Sequence, residues 1–147
     1  MTRLRPARPM DAGAVGMILS EFVDTTPWMP RIHSRAQDLA HAGDLIELGW
    51  VTLAEDDRDV IGFAARNKAE LHALYVARHA RGQGVGSDLL RQAQAAAPSL
   101  TLWTFQANTG AQRFYLRHGF SETLRTDGAR NDEGLPDIRY DWRQEAA

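Results

Sequence analysis

Residues Leu74–Leu90 read "LYVARHARGQGVGSDLL". A strand-like apolar run, Leu74–Val76, is separated from a helix-like one starting at Val85 by a turn carrying Gly82, Gly84 and Gly86. Alternate glycines are costly to order, because glycine loses the most backbone freedom on folding. Their placement points to backbone N–H groups that must stay clear of side chains. A glycine-rich turn entering a helix presents bare N–H groups and the positive end of the helix dipole, an anion site whose usual guest is phosphate or diphosphate. Arg81 adds a formal charge at its edge, and Ser87 is placed either to cap the helix or to contact the same anion.

Two common phosphate loops do not fit. No Lys follows the glycines, so G-x-x-x-x-G-K-[ST] is absent, and the third glycine falls one residue early for G-x-G-x-x-G. The loop also lies mid-chain, away from any first strand of a βαβ unit.

The bulk numbers narrow the field. A chain of 147 residues with 44% hydrophobic content suits one domain, 1–147, with a sizeable core. The net charge of −2 gives no field for nucleic acid or an anionic membrane. Of the 17 basic residues only Lys68 is lysine. The absence of cysteine removes disulfides, thiolate nucleophiles and cysteine metal sites. The N-terminal "MTRLRPARPMD" has no apolar signal core, and no apolar run approaches ~18 residues. A soluble, cytoplasmic protein without a metal is the expectation.

The periodicities predict a mixed α/β domain. A strand at Arg3–Arg5 precedes a helix capped by Asp11, with Val15, Ile18, Leu19 and Phe22 on one face. After the loop "TTPWMPRIHS", Ser34 caps a helix burying Ala36, Leu39, Ala40 and Gly43. Strands at Trp50–Ala54, Val60–Ala65 and Leu71–Val76 follow as an antiparallel meander, the first two joined by the turn "EDDRD". A helix runs from Gly84 to Ala97 and stops at Pro98. Then come a strand at Leu100–Phe105 and a helix at Thr109–His118 with Gly119 as C′ residue. A hairpin of Phe120–Arg125 and Ile138–Trp142 carries the polar loop "DGARNDEGLP" (127–136).

"RGQGVG" (81–86), four residues after "LYV", together with "NTGAQRFYLRHGF" (108–120), resembles the GNAT family of N-acetyltransferases. The second segment follows that family's N-x-x-A-x-x-F-Y-x-x-x-G-F pattern, with Asn108, Ala111, Phe114, Tyr115, Gly119 and Phe120 in place. The likeness covers residues 48–142; the earlier residues match in helix order. It implies a central, mostly antiparallel sheet splayed between its fourth and fifth strands and flanked by about four helices, with acetyl-CoA as co-substrate.

The resemblance also implies roles. Leu74, Tyr75 and Val76 would line the cofactor, with the Leu74 and Val76 backbones pairing with its pantetheine arm as an added strand. Arg81, Gly82, Gln83, Gly84, Val85, Gly86 and Ser87 would hold the pyrophosphate, and Asn108 the arm, a helix-cap role being compatible. A strand N–H, that of Val76, would stabilise charge on the reacting carbonyl oxygen. Tyr115 would be the general acid for the departing thiolate. The position where one branch of the family carries a Glu base is Trp103 here. A base at Glu70, as in another branch, at His72, or through a water wire stays open. Glu70 and His72 point to one face if no bulge intervenes. Trp28 and His33 would line the acceptor site for an amine of a small molecule or peptide, with Asp127, Asp132, Glu133 and Asp137 favouring a cationic one. A homodimer is compatible with the family, and the alternative function is an inactive acyl-CoA-binding regulatory domain.

Overall fold

The computed structural model describes residues 2–145. The elements are β1 (Thr2–Pro6), α1 (Ala12–Thr25), α2 (Arg35–Glu47), β2 (Val51–Asp56), β3 (Asp59–Asn67), β4 (Glu70–Val76), α3 (Val85–Ala96), β5 (Ser99–Phe105), α4 (Thr109–Arg117), β6 (Ser121–Thr126) and β7 (Asp137–Arg143). The expected order of strands and helices is the observed one. The strands form one seven-stranded sheet in the order β1-β2-β3-β4-β5-β7-β6. Every neighbouring pair is antiparallel except β4 with β5. That parallel contact is a single pair, Glu70 with Thr101, extended by the Thr101 N–H donating to the Ala69 carbonyl at 2.7 Å. Past it the two strands part, which is the splay that the sequence likeness implied.

The sheet has an apolar cluster on each face. On one, Leu89, Leu90 and Ala93 of α3 and Tyr115 of α4 pack with Leu100, Leu102, Ile138 and Tyr140. On the other, Val15 and Ile18 of α1 and Ala42, Leu45 and Ile46 of α2 pack with Val51, Leu53 and Phe63. Each fully buried leucine here contributes about 2 kcal/mol by removal from water. The two clusters fix the sheet between α1–α2 and α3–α4, so the parting of β4 and β5 opens a passage from one helical layer to the other.

Local chemistry sets the boundaries. Ser34 forms a capping box with Gln37: its hydroxyl accepts from the Gln37 N–H at 3.1 Å and its own N–H donates to Gln37 Oε1 at 2.7 Å. Gly119, at φ +91°, ends α4 in a Schellman motif, with the Phe120 and Gly119 N–H groups donating to the Tyr115 and Leu116 carbonyls. The β2–β3 turn is tighter than "EDDRD" suggested, because Asp57 and Arg58 both take positive φ (+48° and +77°) and let β2 run on to Asp56.

Two expectations need correction. Asp11 does not cap α1; its carboxylate accepts from the Arg8 N–H at 2.7 Å and pairs with the Arg5 guanidinium at 2.9 Å. The buried face of α2 is Asp38, Ala42, Leu45 and Ile46, with Leu39 45% exposed. Asp38 hides that stripe in the sequence; it is buried because Ser20 and Arg31 both bond its Oδ2, at 2.5 and 3.0 Å.

Candidate active site

The glycine turn leaves a run of backbone N–H groups without acceptors among the described residues. Gly82 (φ +76°) and Gly84 (φ +83°) occupy the left-handed region, and Gly84 is the N-cap of α3 with no side chain capping it. The helix's first bond is Asp88 N–H to the Gly84 carbonyl, 3.0 Å. The N–H groups of Gly82 through Ser87 therefore precede the ladder and have no acceptor among the described residues. All of these residues but Gln83 border a cleft of about 450 Å³, whose walls include Leu74, Val76, Arg81, Phe114, Tyr115 and Arg117. The Arg117 guanidinium sits 5.8 Å above the Phe114 ring, a cation–π contact that adds a second positive group to the walls.

Ser87 is the third helical residue rather than a cap; its Oγ lies 3.0 Å from His118 Nε2. Burial, then Arg91 and Arg117, lower the His118 pKa, which favours the neutral ring. The Gln83 side chain turns back to the His79 carbonyl at 3.4 Å.

The free edge of β4 continues from this cleft. Ala77 donates to the Ile61 carbonyl of β3 at 2.8 Å, and alternate residues of an antiparallel strand face the same neighbour. Tyr75 therefore also turns its backbone to β3, while the N–H and C=O groups of Leu74 and Val76 face the parting. Arg81 Nε, 3.4 Å from the Val76 carbonyl, lies on that open side. Of the three residues expected along the cofactor path, Tyr75 thus has its backbone engaged by β3, while the residue still borders a narrow cleft between β4 and β5. Its ring packs on Phe22 and Phe63 at 5.0 and 5.7 Å on the α1 side, and burial pushes its pKa up to about 12.

Between β4 and β5 lies a narrower cleft of about 100 Å³. Leu74, Ala111 and Tyr115 border both this cleft and the larger one, so the two adjoin. Asn108 faces the narrow cleft. Its Oδ1 caps α4 by accepting from the Ala111 N–H at 3.0 Å, and its amide nitrogen stays unengaged among the described residues. Tyr115 is buried (7% exposed), packed by the Phe114 and Phe120 rings at 5.1 and 5.5 Å. Desolvation raises its pKa well above the ordinary phenol value, so it remains a proton donor throughout the physiological range.

A bulge does intervene in β4. Ala65 pairs with Ala73 and Arg66 with Leu71, leaving His72 as the extra residue. Leu71 packs into the α3 side while Ala73 and Tyr75 pack into the α1–α2 side, so the alternation of faces breaks there. His72 and Glu70 nonetheless meet, Nε2 to Oε2 at 3.2 Å, and the imidazole stacks on Trp50 at 4.8 Å and 13°. His72 borders the narrow cleft and Glu70 does not.

On the α1–α2 side a pocket of about 530 Å³ is lined by His33, Tyr75, Phe105, Asp44, Asp132 and Glu133, among others. Trp28 is not among its lining residues; it packs edge-on to two that are, Phe22 and Phe105, at 6.3 and 5.7 Å. The loop acids divide: Asp132 and Glu133 face this pocket, whereas Asp127 and Asp137 border a separate cavity beside β6. Asp137 is held there by Asn131 at 3.2 Å and by Thr126. Asp44, Arg117 and Phe114 lacked a sequence-level assignment to a site. For the last two the signal was present, since Gly110, Phe114 and Arg117 fall at i, i+4 and i+7 on one helix face.

A family model for the acetyltransferase (GNAT) domain matches residues 47–122. Peptidyl-lysine N-acetyltransferase YjaB from Salmonella typhimurium is 36% identical over 78 residues, 53% of this chain and 53% of that protein. YjaB from Escherichia coli is 36% identical over 78 residues, 53% and 52%. These matches span about half the length of the curated relatives. The solution structure of apo-form YjaB from Escherichia coli has a TM-score of 0.80 at 24% identity, covering 97% of each chain. The structure of yncA from Salmonella typhimurium with acetyl-CoA has a TM-score of 0.75 at 20% identity, covering 100% of this chain and 97% of that one. At these identities the structures speak for the fold, while the family model covers the bulged strand, the glycine cradle and the Asn108–Tyr115 helix, and on that match the chain belongs to the GNAT family of acetyltransferase domains.

Proposed function

We propose that this chain transfers an acetyl group from acetyl-CoA to a primary amine of a small molecule or peptide, with Tyr115 as general acid. The observation that carries the reading is a pair of adjoining clefts with Leu74, Ala111 and Tyr115 as shared walls. Six unengaged N–H groups stand at one end, the free edge of β4 lines the middle, and Tyr115 stands where the two clefts join. The passage fits an anionic head and an extended amide-bearing arm. The cradle, with Arg81 and Arg117, would hold the diphosphate; Leu74, Val76 and the Asn108 amide would bond the arm.

The bound thioester supplies an electrophilic carbonyl and a sulfur leaving group. The chain's own part is donation, deprotonation and exclusion of water. The backbone N–H of Val76 donates toward the reacting carbonyl oxygen, and Tyr115 Oη delivers a proton to the sulfur as it leaves. An alkyl ammonium with pKa ~10 must first lose a proton. His72 is the proposed base, with Glu70 holding its Nε2–H so that Nδ1 is free to accept. The carboxylates of Asp44, Asp132 and Glu133, which line this pocket and have no ion-pair partner among the described residues, favour an acceptor that arrives as a cation, and the relatives named peptidyl-lysine acetyltransferases support one of that chemistry.

Calorimetric titration of acetyl-CoA, followed by free-thiol release with a panel of polyamines, amino acids and lysyl peptides, tests the reading. It expects saturable binding and turnover on at least one cationic amine. Binding without turnover on any of them would favour a regulatory acyl-CoA-binding domain.

A further inference from the structure

Thr104 Oγ1 is the one side-chain polar atom that is itself sealed from solvent and lacks a hydrogen-bond partner among the described residues. The residue is 7% exposed. Strand alternation puts it on the face of Leu100 and Leu102, which pack in the cluster containing Tyr115. It borders the narrow cleft between β4 and β5 together with Leu74, Asn108 and Tyr115. The large majority of buried polar side chains are partnered, and an unpartnered one calls for a specific explanation. Valine would fill the same space at this strand position without stranding a hydroxyl. The hydroxyl is sealed in the ligand-free protein, so a partner that arrives with the ligand reaches it as the narrow cleft widens around the arm.

The strand register locates that partner. β4 and β5 pair in parallel at Glu70 and Thr101, so Thr104, three residues on, stands level with Ala73–Leu74. At this height the Leu74 backbone faces the passage from the opposite wall. Both walls therefore offer hydrogen-bonding groups to one extended chain running between them, deep in the passage and away from the glycine cradle. We infer that the Thr104 hydroxyl donates to a carbonyl oxygen of the acyl-pantetheine arm, either an amide or the thioester carbonyl. The inference rests on the acetyl-CoA reading above and adds to it a binding residue.

Thr104→Val and Thr104→Ser test it, by thermal unfolding without ligand and by calorimetry with acetyl-CoA, CoA and adenosine 3′,5′-diphosphate, which lacks the arm. Thr104→Val is expected to unfold at the wild-type temperature or up to about 4 °C higher, since it removes a stranded polar group. It is expected to bind acetyl-CoA about three- to tenfold more weakly, the range for one neutral hydrogen bond. Its affinity for adenosine 3′,5′-diphosphate stays at the wild-type value, and Thr104→Ser stays within about twofold of wild type for all three ligands. A loss shared by CoA and acetyl-CoA assigns the bond to an amide carbonyl; a loss for acetyl-CoA alone assigns it to the thioester. Wild-type affinity of Thr104→Val for acetyl-CoA, an equal loss for the arm-less nucleotide, or a marked fall in its unfolding temperature overturns the inference. Wild-type protein that binds acetyl-CoA while Thr104→Val is unimpaired removes only this residue's role. Wild-type protein that takes up no acetyl-CoA removes the underlying reading.

Discussion

Gly86→Ala separates the fold from the cradle. Gly86 is the second residue of α3 and, unlike Gly82 and Gly84, has no positive φ, so alanine is conformationally allowed there. A Cβ built on it would stand 3.5 Å from Phe114 Cζ and 3.7 Å from Val76 Cγ2, ordinary contact distances. The protein without ligand should therefore accept the methyl. Helix propensity favours alanine over glycine by up to about 1 kcal/mol, less in the first turn, so the unfolding temperature should hold or rise slightly. Phe114, Val76 and Gly86 all border the cradle cleft, and the methyl would occupy space a bound diphosphate needs. Displacing the anion from one charge-assisted N–H bond costs about 1.5–3 kcal/mol, or roughly ten- to 150-fold in Kd. The assay pairs thermal unfolding with calorimetric titration of CoA at fixed ionic strength, because screening alone shifts diphosphate affinity. Retained stability with a Kd within twofold of wild type would refute the assignment of the cradle. Gly84→Ala is the less informative partner, since its φ of +83° loads about 1–2 kcal/mol of backbone strain onto any loss of binding.

Other expectations follow from the same geometry. The Arg5 guanidinium holds the Asp11 carboxyl below the usual carboxylate range. The unfolded chain therefore takes up that proton first, and the stabilisation is complete above about pH 5 and lost as pH falls through the folded-state value. Thermal unfolding should be level from pH 7 to 5 and decline below about pH 4; Asp11→Asn should flatten that decline, and an unchanged slope would count against the pair. Asp132→Asn with Glu133→Gln should raise KM for a cationic amine severalfold at low salt and leave CoA affinity alone; a neutral-pocket response, with KM unmoved, would sink the electrostatic role. Gly128→Ala should disturb the same loop, because Gly128 has φ +83° and a Cβ there would fall 2.1 Å from the Leu135 carbonyl oxygen. Its cost is expected in KM for the acceptor and in about 2 kcal/mol of stability, readable by steady-state kinetics and unfolding; a variant with both at wild-type values would show the loop conformation to be unimportant.

Much of the fold was legible because its signals are local. Ser34 with Gln37, Gly119 after α4, Pro98 after α3 and the three glycines of the cradle each act within a few residues, and their consequences appear where expected. Signals that depend on tertiary pairing were not legible. Asp11 has the residue type of a helix cap, yet Arg5, on a neighbouring strand, claims its carboxylate. Asp38 interrupts the apolar stripe of α2 and still lies on the buried face, because Ser20 and Arg31 meet it from other elements. His72 follows a two-residue alternation in sequence, but its status as the bulge residue comes from β3 pairing and shifts Ala73 and Tyr75 to the opposite face from Leu71. The acids of and beside the 127–136 loop read as one group, but bonds from Thr126, Ala129 and Asn131 hold Asp127 and Asp137 at a different cavity from Asp132 and Glu133. Thr104 looks like any strand threonine until its environment is seen.

The central claim is that the passage delivers a thioester beside the Tyr115 phenol. Its most direct test is steady-state free-thiol release by wild type and Tyr115→Phe at saturating acetyl-CoA and amine, with CoA affinity measured in parallel. The phenol oxygen has no hydrogen-bond partner among the described residues, so the variant should keep its fold and bind CoA within about twofold of wild type, while turnover drops by about 10²-fold or more, the usual contribution of a positioned acid. Unaltered turnover in a variant that folds and binds CoA normally would contradict the account.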